Sequence, residues 1–286
     1  MTKERPPNTD GESEIHRAVS DDGTEIAGRV HGTGQPLVLV PGVLGDGETV
    51  WEQLLPSLTD QFTCYAMSMR SRGLSGESSD HSPERLVEDI TSFVESVGEP
   101  VRLMGWSAGG IYALATAETT DAVSAVAAYE PPAVELMSED DAGRMMATIT
   151  RMATVAEEGR MADAVRTWFE FVATDDELAE ASSVGLFEAL APNVLVQLRE
   201  FPQVFESEWA SPTDPSELAN ISVPVLLLHG TQTIPDPWFI DSVCHVDEHV
   251  ADSRMREITG AGHLGPILEP EAVADELERF FEESAG

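Results

Sequence analysis

The serine at position 107 sits in the run Val101-Arg-Leu-Met-Gly-Trp-Ser-Ala-Gly-Gly-Ile-Tyr-Ala-Leu-Ala115, enclosed by Gly105, Ala108, Gly109 and Gly110. A Gly-x-Ser-x-Gly spacing directly after an apolar run and directly before an alanine-rich one predicts a sharp strand-to-helix turn that lifts the hydroxyl out of a sheet. That turn strains the serine backbone and leaves no room for bulk beside it, which accounts for the small neighbours. A serine hydroxyl becomes a useful nucleophile only when a base takes its proton. A histidine later in the chain is therefore required.

Of the seven histidines, His263 is best placed, in the glycine-rich stretch Thr259-Gly-Ala-Gly-His-Leu-Gly265 between the last strand-like run and the last helical one. His16, His31 and His229 fall within or at the ends of strand-like runs, and His81 precedes a helical one. The stretch from Cys244 to His249, with His245 and Asp247, has no recognised ligand spacing, so neither a metal nor a cofactor is expected. Cys64 and Cys244 lie far apart without a redox spacing and are expected to be buried small hydrophobes.

Two carboxylates compete for the role of orienting the histidine. Glu130 ends the strand-like VSAVAAY, and Pro131 and Pro132 predict an extended backbone for it at the sheet edge that carries Ser107. Asp236 precedes Pro237 and Trp238-Phe-Ile, the pattern of a helix N-cap followed by proline. Either keeps the order serine, acid, histidine. Glu130 is favoured because Asp236 already has a capping role. For the negative oxygen of a tetrahedral intermediate, the turn Pro41-Gly-Val-Leu-Gly45 and the elbow offer the backbone N–H groups of Val43 and Ala108.

These residues need a scaffold. After a leader expected over 1–14, Asp22-Gly23 predicts a two-residue hairpin between EIHRAVS and EIAGRVH. Strand-like runs at Leu37, Phe62, Val101 and Val123 then alternate with helical periodicity around 51–58, 83–97 and after Ser107. Alternation of this kind predicts an α/β fold with a mostly parallel sheet covered by helices. From 133 to 219 only helical patterns appear, too long for a loop, so a helical insert is expected there, with Met161, Ala164, Val165, Trp168, Phe169 and Val172 on one apolar face. Strand rhythm resumes at Val223 and Arg254, with helices from Trp238 and after Pro270. The expected core is thus 15–132 with 220–286.

Composition bounds the partners. In 286 residues there are 16 basic side chains against 52 acidic ones, a formal net charge of −36, and Lys3 is the only lysine. Such a surface repels nucleic-acid backbones and anionic lipid, and its makeup suits a salt-loving organism's protein. No segment approaches the length of apolar sequence that spans a bilayer, and a cytoplasmic location is expected.

The chain resembles the α/β-hydrolase superfamily over nearly its whole length, through the Gly42 turn with Trp51, Arg70-Ser-Arg-Gly-Leu-Ser75, the elbow at Ser107 and the loop at His263. It departs from the common pattern at Pro41, Ser68 and Ser71. The resemblance implies an eight-stranded sheet, with Ser107 as nucleophile, His263 as base, the Val43 and Ala108 amides as oxyanion hole and the insert as a lid. In relatives that take the acid after the seventh strand, it falls three residues beyond the strand's last glycine, a position held here by Thr233. The expected activity is cofactor-free cleavage of a small-molecule carboxylic ester or lactone through an acyl-enzyme. Perhydrolysis, carbon–carbon cleavage and a ligand-binding role without turnover are the alternatives.

Overall fold

The computed structural model describes residues 14–235 and 237–284. Apart from Glu14, the expected leader lies outside the described residues, as does Asp236. Eight strands form one sheet: β1 Ile15–Val19, β2 Glu25–His31, β3 Gln35–Val40, β4 Phe62–Met67, β5 Val101–Trp106, β6 Val123–Tyr129, β7 Val225–Gly230 and β8 Ser253–Ile258. Their order is β1-β2-β4-β3-β5-β6-β7-β8, with β2 antiparallel to both its neighbours and every other adjacent pair parallel.

Both faces of the sheet are covered, and every residue of β5 and β7 is buried, which is why parallel strands read as continuous apolar runs. Along β3 the side chains alternate, Leu37 and Leu39 entering one hydrophobic layer, Val38 and Val40 the other. The helices of the core are α1 Leu55–Leu58, α2 Pro83–Ser96 and α3 Ala108–Thr119 before the insert. The insert holds α4 Glu139–Glu157, α5 Met161–Val172, α6 Asp175–Ser183, α7 Leu186–Leu190, α8 Val194–Phe205 and α9 Pro215–Leu218. After it come α10 Trp238–His249, α11 Gly265–Leu268 and α12 Pro270–Glu283. The expected apolar face of α5 is buried at Ala164, Val165, Trp168, Phe169 and Val172, in the same layer as Trp51 and Trp106 of the core. No single helix among the described residues is long and apolar enough to cross a membrane.

Three local expectations are corrected. Regular helix before β4 begins at Leu55 with Pro56 in its first turn, and 47–54 form turns instead, because proline favours the first turn of a helix, where its missing N–H leaves no hydrogen bond unmade. Cys244 is exposed while Cys64 is buried, since α10 buries Phe239, Ser242, Val243 and Val246 and turns Cys244 the other way. The first hairpin is closed over Ser20–Thr24 by Ser20 N–H to Thr24 O at 2.9 Å, rather than by two residues.

That longer loop is braced by a buried cation. Asp22 Oδ1 accepts from the Thr24 amide at 2.9 Å and Oδ2 accepts from Arg70 Nη1 at 2.9 Å. Arg70 is fully buried, its Nε and Nη2 paired with Asp89 at 2.7 and 2.6 Å, and Nη1 also donating to Asp80 O at 2.7 Å. Arg70→Met strands the Asp89 carboxylate away from water. Urea unfolding should show a loss of about 3–5 kcal/mol, and an unchanged midpoint would refute this role for the pair.

Candidate active site

Ser107 joins the end of β5 to the start of α3 with φ 55° and ψ −126°, a backbone that side-chain-bearing residues rarely adopt. The strain is held by Ser107 N–H to Tyr129 O and Gly110 N–H to Ser107 O, both 2.8 Å. Two glycines make the turn possible. A Cβ on Gly105 would lie 2.3 Å from Gly109 O, and one on Gly109 would lie 2.4 Å from Val40 O.

Glu130 and His263 meet beside this elbow. His263 Nδ1 lies 2.6 Å from Glu130 Oε2, with both side chains buried. Glu130 Oε1 accepts from the Gly230 amide at 2.9 Å and from the Thr233 hydroxyl. Thus Thr233, at the alternative acid position, donates to the carboxylate that arrives from β6. The extended backbone expected for Glu130 is not found: its φ is +46°. Its own N–H still continues the ladder to Leu228 O at 2.8 Å, and the hydrogen bonds on the carboxylate offset the cost of the unusual φ. The helix expected to be capped by Asp236 has Pro237 at its N-cap, with no side-chain cap bond.

The loop carrying His263 is clamped on three sides. Trp106, just before the serine, donates its indole N–H to His263 O at 2.8 Å. Tyr129, just before Glu130, donates its hydroxyl to Gly262 O at 2.6 Å. From α6 in the insert, Glu177 Oε1 accepts the Leu264 amide at 2.9 Å, while its Oε2 accepts the Thr174 amide at 3.0 Å and completes a capping box. The imidazole stacks on Phe239 with ring centroids 4.4 Å apart. With Nδ1 engaged by Glu130, Nε2 is the nitrogen free to exchange a proton with the serine. Among the described residues no hydrogen bond joins Ser107 to His263, a contact that commonly tightens only in the substrate complex.

Val43 and Ala108 line one cavity with Ser107. Ala108 opens α3, so its N–H has no acceptor within the helix. The Val43 turn is anchored from the insert: Gln197 Oε1 accepts the Leu44 amide and Asn193 Nδ2 donates to Leu44 O, each at 2.9 Å. The cavity holds about 650 Å³ of space, its open mouth included, between walls that include Trp168, Phe171 and Trp238.

Residues 37–276 match the model of the alpha/beta hydrolase family. The chain belongs to that family. Over 263 residues this hydrolase is 23% identical to a Mycobacterium tuberculosis protein provisionally named non-heme bromoperoxidase BpoC, covering 88% of this chain and 95% of the relative. Among solved structures, the esterase RhEst1 from Rhodococcus sp. ECU1013 superposes with a TM-score of 0.76 at 23% identity, over 94% of this chain and 98% of that one. A thermophilic esterase from Thermogutta terrifontis gives 0.73 at 21% identity, over 95% and 99%.

The other histidines of the family member are held elsewhere. His245 Nε2 meets Thr213 O and His249 Nδ1 meets His245 O, each at 2.8 Å. His81 is buried against the Ser71 hydroxyl at 3.2 Å, and burial holds its pKa below the ordinary value. Sequence reading missed Trp106 and Tyr129 as clamps because both look like plain strand-end aromatics. The Thr174-x-x-Glu177 capping box was a visible signal, but its reach to Leu264 spans 87 residues of sequence.

Proposed function

We propose that this chain is a serine hydrolase that cleaves a carboxylic ester or lactone through an acyl-enzyme, with Ser107 as nucleophile, His263 as base and Glu130 as the acid. The observation that carries the reading is the 2.6 Å contact between Glu130 Oε2 and His263 Nδ1 on a loop tied to the residue before Ser107. As the serine oxygen bonds to the ester carbonyl carbon, His263 Nε2 takes its proton, and the buried Glu130 carboxylate stabilises the imidazolium so formed. The Val43 and Ala108 amides receive the carbonyl oxygen as it gains charge. Collapse of the intermediate breaks the bond to the leaving alcohol, which takes the proton from His263. Water, deprotonated in turn by His263, then attacks the acyl carbon; the bond to Ser107 breaks, the serine oxygen takes the proton back from His263, and the acid is released.

The family membership and the esterases among its structural neighbours support this reading, and the insert over the cavity serves in it as the lid that selects a small-molecule substrate. The test is turnover of a series of para-nitrophenyl esters in molar salt, alongside labelling by a fluorophosphonate. Folded protein that neither turns over nor labels would overturn the proposal and favour a binding role.

Fixing the histidine loop is part of the proposed machinery. Tyr129→Phe removes the hydroxyl that holds Gly262 O, so kcat should fall roughly ten- to a hundredfold through misplacement of the base, with KM changing much less. An unchanged kcat would show that the other two clamps suffice.

The acidic coat belongs to the same proposal as an adaptation to high salt. At molar salt the Debye length contracts to about 3 Å, so repulsion among surface carboxylates is screened. Tm should therefore rise between dilute buffer and molar sodium chloride; a flat or falling Tm would remove the salt-loving reading.

A further inference from the structure

The cavity beside Ser107 is apolar except at one corner. There Tyr112, Gln197 and Glu200 line it together. Tyr112 stands on α3, five residues beyond the serine, which is roughly 7 Å along the helix axis and within reach of a small substrate. The residue is 8% exposed, and its hydroxyl has no hydrogen-bond partner among the described residues. Burial pushes the phenol pKa up, the Glu200 carboxylate pushes it further and Arg72 only partly opposes this. The group therefore remains an O–H donor at any working pH.

Glu200 faces the same corner in a form that can accept. Its Oε2 takes a hydrogen bond from Arg72 Nη2 at 2.9 Å, and its Oε1 takes one from Gln197 Nε2 at 3.2 Å. Arg72 balances its charge within the protein. A carboxylate has about four lone-pair positions, so capacity for a further donor remains. The Tyr112 hydroxyl is not sealed off from the cavity, and cavities of this kind fix ligand orientation through a few such polar groups.

We propose that this corner receives a hydroxyl group of the substrate, with Tyr112 donating to its oxygen and Glu200 accepting its proton. A hydroxyl serves both groups at once, whereas a carbonyl brings no proton to the remaining lone pairs of Glu200 and an ammonium offers Tyr112 no acceptor. The rings of Trp168, Phe171, Phe201 and Trp238 around the rest of the cavity suit an aromatic body. The substrate class narrows to esters or lactones bearing a hydroxyaryl group. Naming an ester rests on the proposed chemistry at Ser107; recognition of the hydroxyl does not.

Calorimetric titration of the wild-type protein in molar salt with acetophenone and the three hydroxyacetophenones separates the two claims, because these ketones are not hydrolysed. At least one hydroxyacetophenone should bind about tenfold or more tighter than acetophenone, and Tyr112→Phe, which sacrifices no internal hydrogen bond, should erase that preference. A cavity without a polar receiver would give the opposite sign, since it would strip water from the hydroxyl and return nothing. Equal affinities, a preference for acetophenone, no binding of any of the four, or a preference that survives in Tyr112→Phe would each overturn the inference. Failure of ester turnover and of fluorophosphonate labelling, with the binding preference intact, would overturn only the ester chemistry.

Discussion

Ser107→Ala should abolish fluorophosphonate labelling and lower kcat for an activated ester on the order of a million-fold, as loss of the nucleophile does in serine hydrolases whose triad acts as a unit. The fold should survive, because alanine is smaller and the hydroxyl makes no hydrogen bond to another described residue. Restraint of the elbow comes from backbone groups: Ser107 N–H to Tyr129 O and Gly110 N–H to Ser107 O remain available to alanine. The small activity left would reflect the oxyanion hole and substrate binding alone. Intact labelling of the variant would place the nucleophile elsewhere, and a drop of only a few fold would remove Ser107 from the chemistry.

Glu130→Gln should lower kcat about ten-thousandfold at neutral pH. The substitution keeps shape and can keep the hydrogen bonds from Gly230 and Thr233, yet it removes the negative charge facing His263 Nδ1. A glutamine that turns its amide toward the ring would also favour the wrong tautomer, protonated on Nε2 and unable to accept from the serine. Asp236→Asn is the control, expected to stay within a few fold of wild type. The crossed outcome, an active Glu130→Gln beside an inactive but folded Asp236→Asn, would transfer the acid role to Asp236.

How far the site was legible depended on distance along the chain. The elbow could be read because its demands are local: Gly105 and Gly109 each stand where a Cβ would strike backbone only a few residues away or on the adjoining strand. His263 could be read from its place after the last strand, and the parallel sheet from the alternation of runs. The favoured acid could be ranked but not fixed, since a carboxylate at a strand end looks the same whether solvated or buried. Its positive φ ran against the extended form that Pro131 suggests, because local preference yields where tertiary hydrogen bonds hold a backbone.

By itself the sequence determined the class of fold, the strand-to-helix turn at Ser107 and the place of His263 after the last strand, because periodicity and steric exclusion act between near neighbours. Only the tertiary structure decided what surrounds them. Thr233 bonded to Glu130, Glu177 bonded to the Leu264 amide, and Arg72 paired with Glu200 all join residues more than eighty positions apart. A hydrogen bond needs its partners aligned within about 3 Å, and no spacing in a linear chain states which distant segments the packed core will bring that close. The Tyr112 corner shows the same limit from the other side: its hydroxyl sits on a helix face anyone would read as core, and only the insert folding over it left that donor facing a cavity.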